Sequence, residues 1–359
     1  MIGKPWMTTA SVPLFEVSGS PEEMGRALGA QASDLIHSML ADYRSFFHKA
    51  SGCSWGEAVS VARRYLLHAQ VAAPEAVREI EGIAAGSGAS FEEIWLLNCY
   101  EEVAEDQKLM ACTTVAVNGR VTADGHVYVA HNEDWISVDR KHVYLVRARP
   151  EGAPAFLGMS YGALLCNIGF NAAGIGVGIN SVYPRDVRVG VPRIVVSRAI
   201  LSATDLPSAV EACVPDKRAG GYNHLLAEGD GAILSVESSA TRHETLRATD
   251  GWLAHTNHYR TERMQAVEAP GAYASSHARL KRAEGLVRGR QGPITRDDLQ
   301  AILRDHRNGA LSICKHEQES DPPHERSCSV ISLIMDLTDQ VMWAALGPPC
   351  QGEYKAYEL

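Results

Sequence analysis

The residue best suited to catalytic chemistry is Cys112, which lies in the stretch LMACTTVAV, residues 109–117. A thiol attacks as its thiolate, so a catalytic cysteine needs a base. A cysteine carries such a base itself, the α-amine with a pKa of roughly 8, if the chain begins at that residue. Cys112 becomes an N-terminus if its thiol attacks the Ala111 carbonyl and the resulting thioester is hydrolysed. The residue types therefore allow a nucleophile that self-cleavage of the 111–112 bond exposes.

The elements around Cys112 are predicted from the spacing of apolar residues. Residues 20–107 have helical spacing, opened by a Ser20 cap with Pro21 at the first helical position. From Cys112 onward the period changes, and short β-rich runs such as CTTVAV and HVYVAHN are separated by Gly, Asn and Asp turns. The sequence thus places Cys112 where a helical region gives way to a β-hairpin.

The rest of the chain alternates between the two kinds of pattern. Helical patterns return in VPRIVVSRAILSA, DLPSAVEACV, HARLKRAEGLVRG and TRDDLQAILRDH. Further strands are predicted in YNHLLAEGDGAILSVESS, HETLRA and WLAHTNHY, and CSVISLIMDL with QVMWAAL is predicted as a final hairpin. Helices, a β-block, helices and a second β-block predict an α+β protein in which helices pack on antiparallel sheets. No linker marks a boundary, so we expect one compact domain with an N-terminal helical segment.

Composition excludes several classes of function. The 359 residues are 45% hydrophobic and 21% charged, with a net charge of −9 that argues against nucleic-acid and anionic-membrane partners. No run of about 18 apolar residues and no signal-peptide core is present, so a cytoplasmic location is expected. The eight cysteines are widely spaced, without Cys-x-x-Cys or His-Glu-x-x-His signatures. We therefore expect reduced cysteines, no metal and no cofactor.

Several motifs occur together in an order that resembles a known family. They are CTT at 112–114, HNEDW at 131–135, HTNHY at 255–259, LRDH at 303–306, SICKH at 312–316 and ERSCSVISLIMD at 325–336. The resemblance is to the penicillin acyltransferase-like branch of the N-terminal nucleophile (Ntn) hydrolases. It implies a four-layer αββα sandwich, in which two antiparallel sheets lie between helical layers. It also implies cleavage into an α chain of residues 1–111, mostly helical, and a β chain of residues 112–359 that carries the catalytic core.

The resemblance assigns a role to each matching residue. Cys112 is the nucleophile, exposed by cleavage after Ala111. Asp134 orients the nucleophile's amine, and a buried carboxylate there favours its protonated, proton-shuttling form. Asn257 is the oxyanion-hole asparagine. Arg326 supports the aspartate or holds a substrate carboxylate through a bidentate fork.

Three positions depart from the family pattern. Ala111 stands where relatives often have glycine, His131 where they often have Arg or Gln, and Glu133 where an apolar residue is usual. With Tyr161, His131 and Glu133 are the predicted substrate-binding residues. The implied substrate is a small acyl amide or acyl thioester that passes through a thioester acyl-enzyme to water or an amine. The expected protein partners are the enzyme's own cleaved α and β chains, and a homo-oligomer is compatible with this assignment.

Simpler interpretations stand beside these roles. Cys112 alone fits a buried core thiol, Asp134 a turn cap, Asn257 a turn residue that binds backbone groups, and Arg326 a surface ion pair. A catalytically silent binding protein on the same fold is the corresponding alternative for the whole chain.

Other patterns suggest different chemistry. His255 and His258 suggest a metal but supply too few ligands. Asp305 and His306 suggest a papain-like Cys–His–Asp triad that works without self-cleavage. The glycine-rich residues 169–180 lack a P-loop Lys-Ser/Thr, so they predict close backbone packing and not phosphate binding.

Overall fold

The computed structural model describes residues 11–104, 111–271, 273–322 and 325–359. The helices within them are α1 (Pro21–Gln31), α2 (Ser33–Ser51), α3 (Trp55–Ala72), α4 (Pro74–Ser87), α5 (Phe91–Asn98), α6 (Tyr100–Val103), α7 (Arg193–Ile200), α8 (Leu206–Cys213), α9 (Glu262–Gln265), α10 (Ala274–Arg288) and α11 (Arg296–Leu303). The predicted continuation of the first helical region to residue 107 lies outside the described residues. Among the described helices, none is both long and apolar enough to cross a membrane.

The strands form two sheets. The larger sheet contains, in chain order, β1 (Leu14–Gly19), β4 (Val143–Pro150), β5 (Phe156–Tyr161), β6 (Ile168–Asn171), β7 (Ile175–Ser181), β8 (Tyr222–Glu228), β9 (Ile233–Ser238) and β10 (His243–Arg247), and its spatial order is the same. The smaller sheet contains β2 (Thr113–Val117), β3 (Tyr128–Ile136), β11 (Trp252–His255), β12 (Ser327–Asp336), β13 (Val341–Leu346) and β14 (Lys355–Glu358). Its spatial order is β11-β2-β3-β12-β13-β14.

The elements stack in four layers, helices–sheet–sheet–helices. Strands β2 and β3 of the smaller sheet lie against β7 of the larger one. Helices α1 and α8 contact the larger sheet, while α10 and α11 contact the smaller one. A separate hydrophobic cluster fills the space between the smaller sheet and α10 and α11; it includes Val115, Ile334, Ala283 and Leu299. The predicted α+β class and αββα layering are thus confirmed by the contacts of the chain itself.

The N-terminal helical region begins as predicted. Ser20 caps α1 in a capping box with Glu23, and Pro21 occupies the first helical turn. Two strands were not predicted: β1 at the start of this region and β14 at the C-terminus. β1 pairs with β4 in parallel, so one pairing in otherwise antiparallel sheets departs from expectation. Only Val17 of β1 and no residue of β14 is buried, so neither strand has a buried apolar pattern that identifies it from sequence.

The β2–β3 hairpin is the element that positions the site. Its strands pair antiparallel, with Thr113 opposite Asn132, and every residue of both strands is buried. On its other side β3 pairs with β12, where the register shifts between Ser329 and Ile331. This β-bulge lies opposite Glu133 and Asp134, and bulges often aim side chains at functional sites.

Candidate active site

Cys112 directly precedes β2, as the change of period predicted. Its neighbour Ala111 donates its backbone N–H to the carbonyl of Asp134 at 3.4 Å, which extends the pairing with β3 past the cysteine. Ala111 and Cys112 are 7% and 1% exposed. Both residues of the predicted cleavage site are therefore held within the sheet, out of solvent.

The Cys112 thiol lies in a cluster of buried polar side chains. Its Sγ donates to Glu133 Oε2 at 3.1 Å, and His131 Nε2 lies 3.0 Å from the same oxygen. The Tyr161 hydroxyl, from the larger sheet, donates to Glu133 Oε1 at 3.1 Å. Thr114 Oγ1 lies 2.8 Å from His131 Nδ1 and fixes the outer side of that ring. The structure thus brings the three predicted substrate-binding residues together around the thiol.

A glycine of the opposing sheet leaves room for this cluster. A Cβ on Gly178 would lie 2.7 Å from Thr114 Cγ2 and 3.5 Å from His131 Nδ1. Any larger residue there would push the two sheets apart at the site. The alternating glycines of residues 169–180 therefore serve close packing, as the sequence indicated.

The charge state of the thiol follows from its surroundings. Burial raises the pKa of Cys112 well above its usual range, and the nearby carboxylates of Glu133 and Asp134 raise it further. In the intact chain the thiol is therefore protonated at neutral pH. It becomes a nucleophile only if a group in contact with it takes the proton during attack.

Asp134 lies on the other side of β3, because successive residues of a strand face opposite ways. Ser329 Oγ donates to its Oδ1 at 2.5 Å, while Oδ2 is buried without a partner among the described residues. Burial raises the pKa of Asp134 to about 7, against the opposing effect of the cations Arg279 and Lys315. The carboxyl is therefore poised to gain or lose a proton near neutrality, and Oδ2 is free to accept a hydrogen bond.

Arg279 of α10 is a site residue that the sequence reading missed. Its side chain is buried, and Nη1 donates to the Cys112 carbonyl at 2.6 Å and to Thr113 Oγ1 at 2.9 Å. Nη2 donates to Asn257 Oδ1 at 2.8 Å. One feature of the sequence could have identified it. Arg279 is a charged residue on the buried face of α10, next to Leu280. A guanidinium kept on such a face has buried acceptors to bind.

Asn257 lies next to this guanidinium, just after β11. Its backbone N–H donates to Ser276 Oγ at 2.7 Å, and its Nδ2 donates to the Ser181 carbonyl at 3.0 Å. An amide nitrogen carries two hydrogens, so one N–H of Asn257 is not used by that bond. With Arg279 on its oxygen and Ser181 on its nitrogen, the amide plane is fixed beside the Cys112 backbone.

Arg326 is not brought to Asp134. Its Nε donates to the Asp321 carbonyl at 3.1 Å and its Nη2 to the Glu319 carbonyl at 3.2 Å, so the side chain binds the loop that precedes β12. The cations near Asp134 are instead Arg279 and Lys315, which come from other segments. Support of the aspartate was one of the two roles predicted for Arg326, and Arg279 and Lys315 are the cations near Asp134 instead. The other role, binding a substrate carboxylate, stays a prediction.

Comparison with known proteins identifies the family. Residues 121–351 match the family described as “Acyl-coenzyme A:6-aminopenicillanic acid acyl-transferase”. The chain belongs to this family. Over 335 residues, 92% of this chain and 91% of the relative, it is 23% identical to the “Acyl-coenzyme A:6-aminopenicillanic-acid-acyltransferase 40 kDa form” of Emericella nidulans. The family match begins after Cys112 and includes the positions of Asp134 and Asn257.

Two solved structures also align with the chain. A mutant of the conjugated bile acid hydrolase from Clostridium perfringens aligns at 12% identity and a TM-score of 0.48, over 69% of this chain and 97% of its own. A penicillin V acylase from Agrobacterium tumefaciens aligns at 14% identity and a TM-score of 0.45, over 66% and 83%. The architecture described above rests on the strand pairings of this chain and not on these likenesses. The family to which the chain belongs is described as an acyltransferase family.

Two alternative sites suggested by the sequence, a Cys–His–Asp triad and a pair of histidines in HTNHY, do not form in this member of the family. Asp305 accepts from Arg282 Nε at 3.0 Å, and His306 Nε2 lies 3.0 Å from His316 Nε2, so neither completes a triad with Cys112. The histidines of HTNHY do not share a site either. One nitrogen of His255 lies 2.8 Å from Glu237 Oε1, whereas His258 Nδ1 lies 2.7 Å from Ser276 Oγ.

Proposed function

We propose that the protein is a cysteine Ntn amidohydrolase or acyltransferase that activates itself by cutting the Ala111–Cys112 bond. One observation carries the proposal. Cys112 stands at the start of a buried strand beside Asp134, whose Oδ2 is unpartnered among the described residues and whose pKa is about 7. That carboxyl is suited to bind an α-ammonium group, which Cys112 acquires only if the chain is cut before it.

Maturation uses groups that already touch the thiol. The new α-amine does not yet exist, so Glu133, 3.1 Å from Cys112 Sγ, accepts the thiol proton. Sγ then bonds to the Ala111 carbonyl carbon, the Ala111–Cys112 C–N bond breaks, and the proton passes to the released nitrogen. Water hydrolyses the thioester, which leaves a carboxylate on residue 111 and a free α-amine on Cys112. The products are chains of residues 1–111 and 112–359.

Turnover in the mature enzyme uses the amine as its base. Asp134 orients the amine, which takes the thiol proton while Sγ attacks the substrate carbonyl. The unused N–H of Asn257 stabilises the oxyanion, and Arg279 holds both Asn257 and the Cys112 carbonyl in place. The acyl group is then carried as a thioester and passes to water or to an amine.

The substrate class follows from the chemistry and from the relative's name. A thioester acyl-enzyme forms equally from an amide or from an acyl thioester, so either serves as donor. The relative's name describes an acyl-coenzyme A donor and an amine acceptor. The intact chain buries Cys112 to 1% exposure, which suits an inactive precursor because no substrate reaches a nucleophile in that state.

A second function is favoured by the same 3.1 Å contact between Cys112 and Glu133. In it the carboxylate, with His131 behind it, activates the thiol of an uncut chain, and the protein is a thiol hydrolase without self-cleavage. The two functions differ in the covalent state of the active protein.

The discriminating experiment is N-terminal sequencing and intact-mass analysis of the purified protein. Scaling the 38.9 kDa chain by residue number gives expected fragments of about 12 and about 27 kDa, the larger beginning Cys-Thr-Thr-Val. The Cys112→Ala variant should remain a single folded chain, and Cys112→Ser should be cut slowly because a hydroxyl is the weaker nucleophile. An uncut chain with full activity would establish the second function, and normal processing of Cys112→Ala would exclude Cys112 as the cleaving residue.

A further inference from the structure

Outside the active site, four side chains converge close to the C-terminal end of α11. They are His306, Cys314, His316 and Cys350, and one ligand atom of each lies within 4.8 Å of all the others. His316 Nε2 is at the centre of the group, 3.0 Å from His306 Nε2, 3.2 Å from Cys350 Sγ and 3.7 Å from Cys314 Sγ. None of these residues has a role in the proposed acyl transfer.

We propose that this cluster is a structural zinc site with a Cys2His2 ligand set. Zinc binds thiolate sulfur at about 2.3 Å and imidazole nitrogen at about 2.0 Å in a tetrahedron, which places neighbouring ligand atoms roughly 3.3–3.8 Å apart. The separations around His316 Nε2, 3.0 to 3.7 Å, need only small side-chain rotations to match. Two nitrogens and two sulfurs in a tetrahedron are the set that favours zinc among the common divalent metals.

The charges and protons of such a site balance. Both histidines bind as neutral imidazoles through Nε2, and the two cysteines bind as thiolates, so binding releases two protons. The two thiolates neutralise the dication. With four protein ligands the coordination shell is closed, which is the pattern of structural and not catalytic zinc. His306 and Cys350 are exposed, so the ion has a path from solvent.

The backbone around the cluster shows what the ion would hold together. The Cys314 N–H donates to the Asp305 carbonyl at 3.1 Å. Arg304, at the end of α11, donates to the carbonyls of Pro349 and Gly352 at 2.8 and 3.3 Å. The ligands thus come from three segments, residues 305–306, 314–316 and 350, that are already close.

The same site is one residue away from the catalytic machinery. Cys314 and His316 flank Lys315, whose N–H donates to Ser329 Oγ at 3.1 Å. Ser329 Oγ in turn donates to Asp134, and the Lys315 ammonium favours the charged form of that carboxyl. Zinc bound by the two flanking residues would fix the segment that sets the electrostatic environment of Asp134.

The ligands have no local signature in the sequence, because they span residues 306 to 350 and only Cys314-x-His316 is close along the chain. Metal-ligand pairs in zinc motifs are usually recognised by short, repeated spacings. Here the fold, not the spacing, brings the ligands together. A ligand set dispersed in this way has no motif in the sequence, so the proposed site departs from the expectation of no metal.

The test begins with metal analysis of the full-length protein expressed in zinc-supplemented medium. Elemental analysis should find about one zinc per chain, and the metal-stripped protein should bind Co²⁺ with the visible bands of a tetrahedral site and thiolate-to-cobalt charge transfer. Cys350→Ser, at an exposed position, should fold but lose zinc occupancy by roughly tenfold or more on dialysis against a chelator. The matched controls are Cys53→Ser and His243→Asn, which lie outside the cluster and should keep full occupancy.

A second readout separates metal binding from mere packing. Stripping zinc should accelerate amide hydrogen exchange in residues 313–316 and 349–352, and added zinc should restore protection in the wild type but not in Cys350→Ser. Three outcomes would overturn the proposal. They are no zinc and no cobalt spectrum in a folded protein, equal occupancy in Cys350→Ser, or a Cys314–Cys350 disulfide that lowers the intact mass by two hydrogens.

Discussion

Ser329 Oγ donates a 2.5 Å hydrogen bond to Oδ1 of Asp134, whereas Oδ2 of the same carboxyl has no partner among the described residues. The contact is made across the β3–β12 pairing, next to the bulge in β12. One oxygen of the aspartate is thereby fixed, and the other is buried with no donor in the part of the chain that the structure describes. This asymmetry leaves Oδ2 available to accept a hydrogen bond, which the proposed α-ammonium group of Cys112 would donate.

The first prediction concerns this bond. Burial raises the pKa of Asp134, and the Ser329 hydroxyl opposes that rise because a donated hydrogen bond stabilises the carboxylate. Ser329→Ala should therefore raise that pKa above its value of about 7 and move the acidic limb of the kcat/KM profile to higher pH. The measurement is kcat/KM against pH for processed enzyme, with Ser332→Ala on the same strand as control. An unmoved limb would mean that Asp134 does not govern it.

The second prediction separates maturation from turnover at Glu133. Glu133→Gln keeps the side-chain shape but removes the acceptor 3.1 Å from Cys112 Sγ, so self-cleavage should slow by about 100-fold or more. Tyr161→Phe removes a donor to the same carboxylate and leaves the base in place, so it should be cut at a rate near the wild type. The uncut fraction is followed on a denaturing gel after synthesis. Equal processing of Glu133→Gln and wild type would exclude Glu133 as the maturation base.

The third prediction concerns the oxyanion. Asn257→Ala removes a donor whose amide plane Arg279 and the Ser181 carbonyl fix, and acylation by a reactive ester should slow by about 100- to 1,000-fold. Thioester formation is measured by intact mass in single-turnover samples of processed protein. Self-cleavage is compared in the same samples, and it should be less affected if backbone N–H groups hold the precursor's oxyanion. If the processed variant is acylated as fast as the wild type, Asn257 has no oxyanion role and HTNHY is only a structural turn.

The fourth prediction is a gain of stability. Asp134 has a folded-state pKa of about 7 against an ordinary value of about 3.9, so its stability contribution is full below about pH 4 and is lost as pH rises towards about 7. Asp134→Asn does not ionise and escapes this loss. Its advantage in free energy of unfolding should grow by roughly 2–3 kcal/mol between about pH 5 and about pH 8.

This measurement is made in the Cys112→Ala background, so that both proteins are uncut, with urea unfolding at each pH. In the cleavage-competent background the same Asp134→Asn change should lower both processing and turnover, because the amine loses its orienting charge. A pH-independent difference between the two uncut proteins would show that Asp134 has an ordinary pKa in the folded chain.

Local pattern was enough to predict the elements whose determinants are close in sequence. The Ser20 cap and Pro21 start α1 as expected, and the change of apolar period places Cys112 directly before β2. Asp134 and Glu133 were singled out by the family resemblance of HNEDW, and both lie in β3, the strand that pairs with the one after Cys112. The edge strand β1 was missed because its partner β4 lies far along the chain, and β14 was missed because none of its residues is buried.

The tertiary structure alone decided which side chains surround the nucleophile. Arg279 reaches the Cys112 carbonyl from a helix 167 residues later, and Ser329 reaches Asp134 from 195 residues away. Arg326 was singled out by motif, yet its side chain binds loop carbonyls. The physical reason is that sequence periodicity encodes which face of an element is buried, whereas contacts between distant elements depend on how layers pack, and only the folded chain sets that packing.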